Sequence, residues 1–148
     1  MTVTFTNEGD IFAAGTQAIG LALAANGQAA ATPFATTLHD RYPVFVSEYG
    51  KRGRAGTLLP GSVWLWRDAQ PWLVGLIVRE TPHSPARLRF IEQAILALYR
   101  DWQREGLRGL ALPRLADPPE WRAVRDMLGH YLDALPLHIV VYEHVPGG

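Results

Sequence analysis

The sequence contains no cysteine. That absence removes disulfides, thiolate nucleophiles and zinc sites with sulfur ligands, and it accords with a reducing, cytoplasmic setting. Lysine is nearly missing as well: Lys51 is the only one among 14 basic residues, a bias we read as genome composition before function. There is no charge excess, since 14 acidic residues offset the 14 basic ones. The broad basic surface that salt-driven nucleic-acid binding requires is therefore not available. Long hydrophobic runs are lacking too. Segment 11–25 is apolar, but Gly15, Thr16, Gln17 and Gly20 interrupt it, and it is too short to be expected to span a membrane. No basic stretch leads into an apolar one at the N-terminus, so no signal peptide is expected. The histidines at 39, 83, 130, 138 and 144 share no ligand spacing on one helix, so neither a metal nor a cofactor is expected. Ser47, Ser62 and Ser84 lack a G-x-S-x-G context, and no G-x-x-x-x-G-K-[ST] string occurs, which disfavours a serine hydrolase and a nucleotide triphosphatase.

What is present is a folding sequence. Of the 148 residues, 48% are hydrophobic and 19% charged, which suits one ordinary core, so residues 1–148 are read as a single domain. Val3 and Phe5 alternate with Thr2, Thr4 and Thr6 as a first strand, and Asn7-Glu8-Gly9-Asp10 ends it in a turn. Gln17–Ala24 reads as a second strand with Ile19, Leu21 and Leu23 on one face and Ala18, Gly20 and Ala22 on the other. Its alanines leave a helix open. Thr32 caps a helix that has Pro33 at its first position and runs to about Arg41, where Tyr42-Pro43 closes it. Glu48–Pro60, with Gly50, Lys51, Arg52, Gly53, Arg54 and Gly56, reads as a flexible basic loop. Ser62–Arg67 and Trp72–Val78 are strands joined by Asp68–Pro71, the second buried on both faces. Ser84 and Pro85 open a helix whose apolar face is Leu88, Ile91, Ile95, Leu98 and Trp102, and Gly106 stops it. Gly109–Leu112 is a short strand. Asp117-Pro118-Pro119-Glu120 opens a last helix with Trp121, Val124, Leu128, Tyr131 and Leu135 on its apolar face. Leu137–Tyr142 is the final strand, and Pro146-Gly147-Gly148 is a tail. The five tryptophans are most simply core. The order β, β, α, β, β, α, β, α, β predicts an α/β fold with a mixed β-sheet flanked by helices on both faces.

Several strings in this order resemble the macro-domain family, nearest the branch of DNA-ADP-ribosyl glycohydrolase antitoxins and terminal ADP-ribose protein glycohydrolase. Gly9-Asp10-Ile11 resembles that family's motif after its first strand. Phe34-Ala35 with Tyr42-Pro43 resembles the helix behind its first phosphate loop. Arg79, Ser84-Pro85-Ala86-Arg87-Leu88 and Ile91-Glu92 resemble a second colinear stretch. Leu112-Pro113-Arg114-Leu115 followed by Trp121 resembles a third, and Val141-Tyr142-Glu143 the last strand. The likeness is macro-domain-like over almost the whole chain, though each string is short. It implies a module that binds ADP-ribose, or a protein or nucleic acid carrying it. Removal of the modification is the further activity of that branch, so an active enzyme would be an ADP-ribosyl glycohydrolase-type hydrolase.

The resemblance also assigns residues. Asp10 matches the carboxylate that reads adenine, with Ile11 beside it. Ala31, Thr32 and Phe34 fall in the first phosphate loop, Arg114 and Ala116 in the second. Asp117 or Glu120 would assist water at the ribose anomeric carbon, and Arg79, which stands where the branch has a lysine, would stabilise charge. Two departures accompany this. Ala30-Ala31-Thr32-Pro33 replaces a glycine loop, and the second glycine loop is shortened to Ala116-Asp117. Proline has no N–H to offer a pyrophosphate. The residues by themselves have plainer readings: Asp10 as a turn residue, Arg79 as a strand-end cation paired with Glu80 or solvent, and Asp117 with Glu120 as a capping box. A degenerate macro-like module with no ADP-ribose ligand, working through protein contacts, is the alternative.

Overall fold

The computed structural model describes residues 3–143. Thr2 of the first strand, His144 and the tail at 146–148 lie outside the described residues. The elements are β1 (Val3–Thr6), a 3-10 turn (Ile11–Ala13), β2 (Ala18–Ala24), α1 (Pro33–Arg41), α2 (Pro43–Arg54), β3 (Val63–Trp66), β4 (Trp72–Arg79), α3 (Leu88–Glu105), β5 (Gly109–Pro113), α4 (Pro118–Leu132) and β6 (His138–Tyr142). They form one six-stranded sheet in the order β1-β6-β5-β2-β4-β3. All neighbours are parallel except the β3–β4 hairpin. Parallel neighbours need crossovers, and the helices supply them on both faces. This is the mixed, doubly covered sheet expected from the sequence.

Alternation along β2 builds two cores. Ile19, Leu21 and Leu23 pack with Leu38 of α1 and with Phe45 and Tyr49 of α2. Ala18 packs on the other side with Ile91, Ala94, Ile95 and Leu98 of α3 and Val124 and Leu128 of α4. The small residues on that face have a purpose. At Gly20 a Cβ would collide with the Leu112 side chain of β5, so only glycine lets Leu112 lie across the strand. β4 is buried on both faces from Leu73 to Val78, as its unbroken apolar run implies.

The sequence reading needs three corrections. First, Glu48–Arg54 is not a flexible loop but the C-terminal part of α2; Tyr42-Pro43 does close α1, and Pro43 also begins this second helix. One of the glycines that suggested a loop is a packing residue: a Cβ on Gly53 would strike the backbone of Asn26 and Gly27. Second, α3 starts at Leu88, not at Pro85. The Arg87 N–H donates to the Val78 carbonyl at 3.1 Å, which holds 79–87 against the end of β4. Ser84 instead closes a turn with Thr81, their hydroxyls 2.8 Å apart. Leu88 consequently leaves the buried face and is 37% exposed, whereas Ile91 and Ile95 are fully buried. Third, Asp117 occupies the N-cap of α4 but its side chain makes no capping bond, so the capping box is not formed.

Candidate functional site

In open sheets with parallel strands, a crevice opens where successive connections leave the sheet in opposite directions. Here β2 leads through α1, α2 and β3 toward β4, and β5 leads through α4 toward β6, on the other side. The reversal lies between β2 and β5. Their ladder is limited to Ala18↔Leu110 and Ile19↔Ala111. Beyond it, the C-terminal ends of the two strands share no ladder hydrogen bonds.

A cleft of about 260 Å³ lies there, near the lower end of the roughly 300–1,000 Å³ usual for small-molecule sites. It is lined by the ends of β2 (Ala22, Leu23, Ala24), the following loop (Gln28, Ala29, Ala30, Thr32), α1 (Phe34, Ala35, Leu38), Tyr49, Arg79, Pro82, Pro113, Arg114, Ala116 and Asp117. Thus Thr32, Phe34, Arg79, Arg114, Ala116 and Asp117, separated by up to 85 positions (117 − 32) in the chain, come together in one cleft. Asp10, Ile11, Ala31 and Glu120 lie outside its lining.

The first loop presents donors. Thr32 caps α1, its hydroxyl accepting the Ala35 N–H at 3.1 Å, while its own N–H goes to Ala30 O at 2.9 Å. The N–H groups of Ala29, Ala30, Ala31 and Phe34 meet no acceptor among the described residues. Pro33 contributes none. Unpaired N–H groups at a helix start, together with the positive end of its dipole, form a place for an anion. Two arginines, Arg79 and Arg114, line the same cleft, and a guanidinium turned into it is a charge-assisted donor.

The second loop differs, in part because of its prolines. An N-cap side chain normally accepts the second or third N–H of its helix. At α4 the second position is Pro119, which has none, and the third, Glu120, gives its N–H to the Asp117 backbone carbonyl at 3.0 Å. The Asp117 carboxylate is left exposed and free of capping, and it lines the cleft. Arg79 is not paired with Glu80: its guanidinium donates a long 3.5 Å bond to the Ser84 carbonyl.

Asp10 belongs to a neighbouring wall. One oxygen, Oδ1, accepts the Phe12 N–H at 3.0 Å, which starts the 3-10 turn. The Phe12 ring stacks on Phe34 with centroids 5.1 Å apart, and the Arg41 guanidinium lies over the Phe12 ring at 5.2 Å. The Asp10 turn is therefore coupled to the cleft through an aromatic pair. Ile11 is 6% exposed and packs in the core between the sheet and α1–α2, so its part is structural. Trp121 is also a core residue, and its indole N–H donates to Glu143 at 2.8 Å.

Tyr49 lines the cleft and was missed, because its segment read as a loop. The signal was there: Phe45 and Tyr49 stand one helical turn apart behind Pro43, a helix opener. Burial pushes the Tyr49 phenol up to about 12, so it keeps its proton throughout the neutral range.

A second cleft of about 240 Å³ lies between β3 and the end of α3. Its charges already have partners: Arg67 with Glu105 at 2.7 Å, and Asp101 with Arg100 at 3.0 Å and Arg104 at 2.9 Å. No group of three or more histidine, aspartate or glutamate residues is placed to hold a metal ion, and no helix is long and apolar enough to cross a membrane, among the described residues.

No protein-family model and no curated protein sequence matches the chain. Solved structures do. The macrodomain of Thermus aquaticus DarG superposes with a TM-score of 0.84 at 22% identity, over 95% of this chain and 97% of that one. The macrodomain of Mycobacterium tuberculosis DarG gives 0.86 at 20% identity, over 97% of this chain and 98% of that one. Thermosipho africanus DarTG, solved in complex with ADP-ribose, gives 0.85 at 17% identity over 98% of this chain and 43% of the longer one. Nearly end-to-end superposition at such low identity is a likeness of architecture, and it establishes that this chain has the macrodomain fold.

Proposed function

We propose that the cleft at the ends of β2, β4 and β5 binds ADP-ribose, free or attached to a protein or nucleic acid. The observation that carries this reading is the convergence of unpaired loop amides, Arg79 and Arg114 on one cleft at the strand-order reversal. A pyrophosphate needs that set of donors. The fold neighbour named as an ADP-ribose complex supports the reading. In this arrangement the adenine lies toward Asp10 and Ile11, past Phe34. The pyrophosphate meets the loop through the unpaired N–H groups of Ala29, Ala30 and Phe34, with Ala31 and Thr32 shaping the loop, and the distal ribose reaches Arg114, Ala116 and Asp117.

Removal of ADP-ribose would require water to attack the ribose anomeric carbon while the bond to the acceptor breaks. In this reading Asp117, which lines the cleft, orients such a water, and Glu120, one turn into the helix and outside the lining, is a second carboxylate. Arg79 stays protonated and is a poor nucleophile, so it can stabilise charge but not form a covalent intermediate. We therefore read the chain, residues 1–148, as one cytoplasmic domain that binds ADP-ribose and hydrolyses its linkage slowly or not at all.

Calorimetric titration with ADP-ribose tests the binding. Saturable binding at or below millimolar ligand is expected; none at that concentration returns the chain to a degenerate module acting through protein contacts. Release of ADP-ribose from modified protein and modified DNA tests the chemistry. Turnover in the usual enzymatic range of about 1–1,000 per second would overturn the expectation of slow hydrolysis and make Asp117 or Glu120 catalytic.

A further inference from the structure

We infer that Tyr49 is the positioning residue of this cleft: its hydroxyl fixes the end of β2 and, through it, the loop that carries the anion-facing amides. The inference rests on the ligand reading above and adds to it a residue from α2.

Both hydrogen bonds of the hydroxyl go to one residue's backbone. It accepts the Ala24 N–H at 2.9 Å and donates to the Ala24 carbonyl at 2.7 Å, with the Gln28 carbonyl at 3.4 Å sharing the same proton. Ala24 needs such a partner. The register between β2 and β4 slips at that point, so that Leu23 faces Ile77 but Ala24 faces Arg79. The last residue of β2 is thus displaced from the regular ladder while 3% exposed, and buried backbone groups are almost always paired.

The ring alone would satisfy packing. Phe45, one turn earlier, stacks on Trp64 at 4.8 Å with no hydroxyl at all. Tyr49 joins the same stack, 6.5 Å from Phe45. The hydroxyl is therefore surplus to the aromatic cluster, and its work is on Ala24 and Gln28.

The hydroxyl is also held firmly in place. Gly27, at φ +77°, has its backbone so close to α2 that a Cβ there would meet the Tyr49 carbonyl at 2.8 Å. Helix and loop touch backbone to backbone, and Tyr49 is 1% exposed. Ala24 and Gln28 bracket the start of the loop whose next residues, Ala29 to Ala31, carry the unpaired N–H groups. The Ala24 carbonyl also accepts the Gly27 N–H at 3.3 Å, and the N–H groups of Ala25 and Asn26 go to the Arg79 and Glu80 carbonyls at 2.9 and 3.1 Å; the hydroxyl adds to these the bond from the Ala24 N–H and the tie from α2 to Gln28.

Tyr49→Phe keeps the ring and removes only the oxygen. The variant should fold, as read by circular dichroism. Its affinity for ADP-ribose should fall about tenfold, the worth of one hydrogen bond, while that for adenosine, which does not reach the loop, stays as in wild type. Amide exchange at 24–31 should quicken. Unchanged ADP-ribose affinity, or an equal loss for both ligands, overturns the assignment, the second because it marks a general structural role. If wild type binds no ADP-ribose, the functional reading fails by itself, and exchange decides: quickening confined to 24–31 upholds the positioning role, and unchanged exchange overturns it. Should Tyr49→Phe not fold, wild-type exchange is the readout. Ala24 must then open together with 29–31 as one unit, and independent opening overturns the inference.

Discussion

A single carboxylate can be spoken for or free, and two aspartates here show both states. Asp117 has the sequence context of a helix cap and is free of capping: Pro119 has no N–H to give, and the Glu120 N–H goes to the Asp117 backbone carbonyl instead. That outcome was only half legible: the string Asp117-Pro118-Pro119-Glu120 shows that the second N–H is missing, but it reads as a capping box through Glu120, and only the structure shows that N–H bonded to the backbone. Asp10 had the context of a turn residue and is one, through its Oδ1 bond to Phe12 at 3.0 Å. Its second oxygen remains available to an exocyclic amine. Asp10→Ala should therefore weaken ADP-ribose binding by about 1.5–3 kcal/mol, or roughly ten- to 150-fold, and leave the fold intact. Titration paired with thermal unfolding measures both. Full affinity in the variant would reduce Asp10 to its turn, and loss of folding would mean that the 3-10 turn carries more of the stability than its exposed position implies.

Elements were read well where one period dominated and poorly where glycine intervened. The spacing in α3 placed Ile91, Ile95 and Leu98 on the buried face, and each is no more than 2% exposed. Ile95→Ala should cost about 2–5 kcal/mol, the range for emptying a core site, measurable by urea unfolding. A change below about 0.5 kcal/mol, typical of a surface position, would mean that the α3 face is wrongly assigned. By contrast α2 was hidden by Gly50 and Gly53, since each glycine within a helix costs about 1 kcal/mol relative to alanine. Local propensity lost to a tertiary contact. At Gly53 the helix accepts that cost because the backbone of Asn26 and Gly27 lies on it with no room for a Cβ, and nothing in residues 48–56 alone announces a partner more than twenty positions earlier. The start of α3 failed for a related reason: Ser84-Pro85 is a sound opening signal, overridden by the Arg87 to Val78 bond.

At the scale of the whole molecule, the sequence order implied parallel pairing with helices on both faces, and that holds. It did not disclose that β5 lies beside β2, and this adjacency makes the cleft. Nor did it disclose the electrostatic arrangement. The chain is neutral overall, yet Arg79 and Arg114 line one cleft. Salt shortens the reach of charge, to about 10 Å at 0.1 M, so raising it should weaken ADP-ribose binding and leave adenosine binding unchanged. Calorimetry of both ligands across a salt series tests this. Parallel weakening of the two would mean that the arginines do not meet the pyrophosphate.

The short ladder between β2 and β5 has a mechanical consequence. Two strands bonded along their full length would fix the gap between their ends as rigidly as any rung spacing. Here the rungs stop at Ile19↔Ala111, and past them the gap is kept by Leu112 lying across Gly20. The mouth of the site is thus propped by a side chain rather than clasped by backbone. Its breadth becomes an adjustable dimension, reset by the size of one buried residue that never touches whatever the mouth receives.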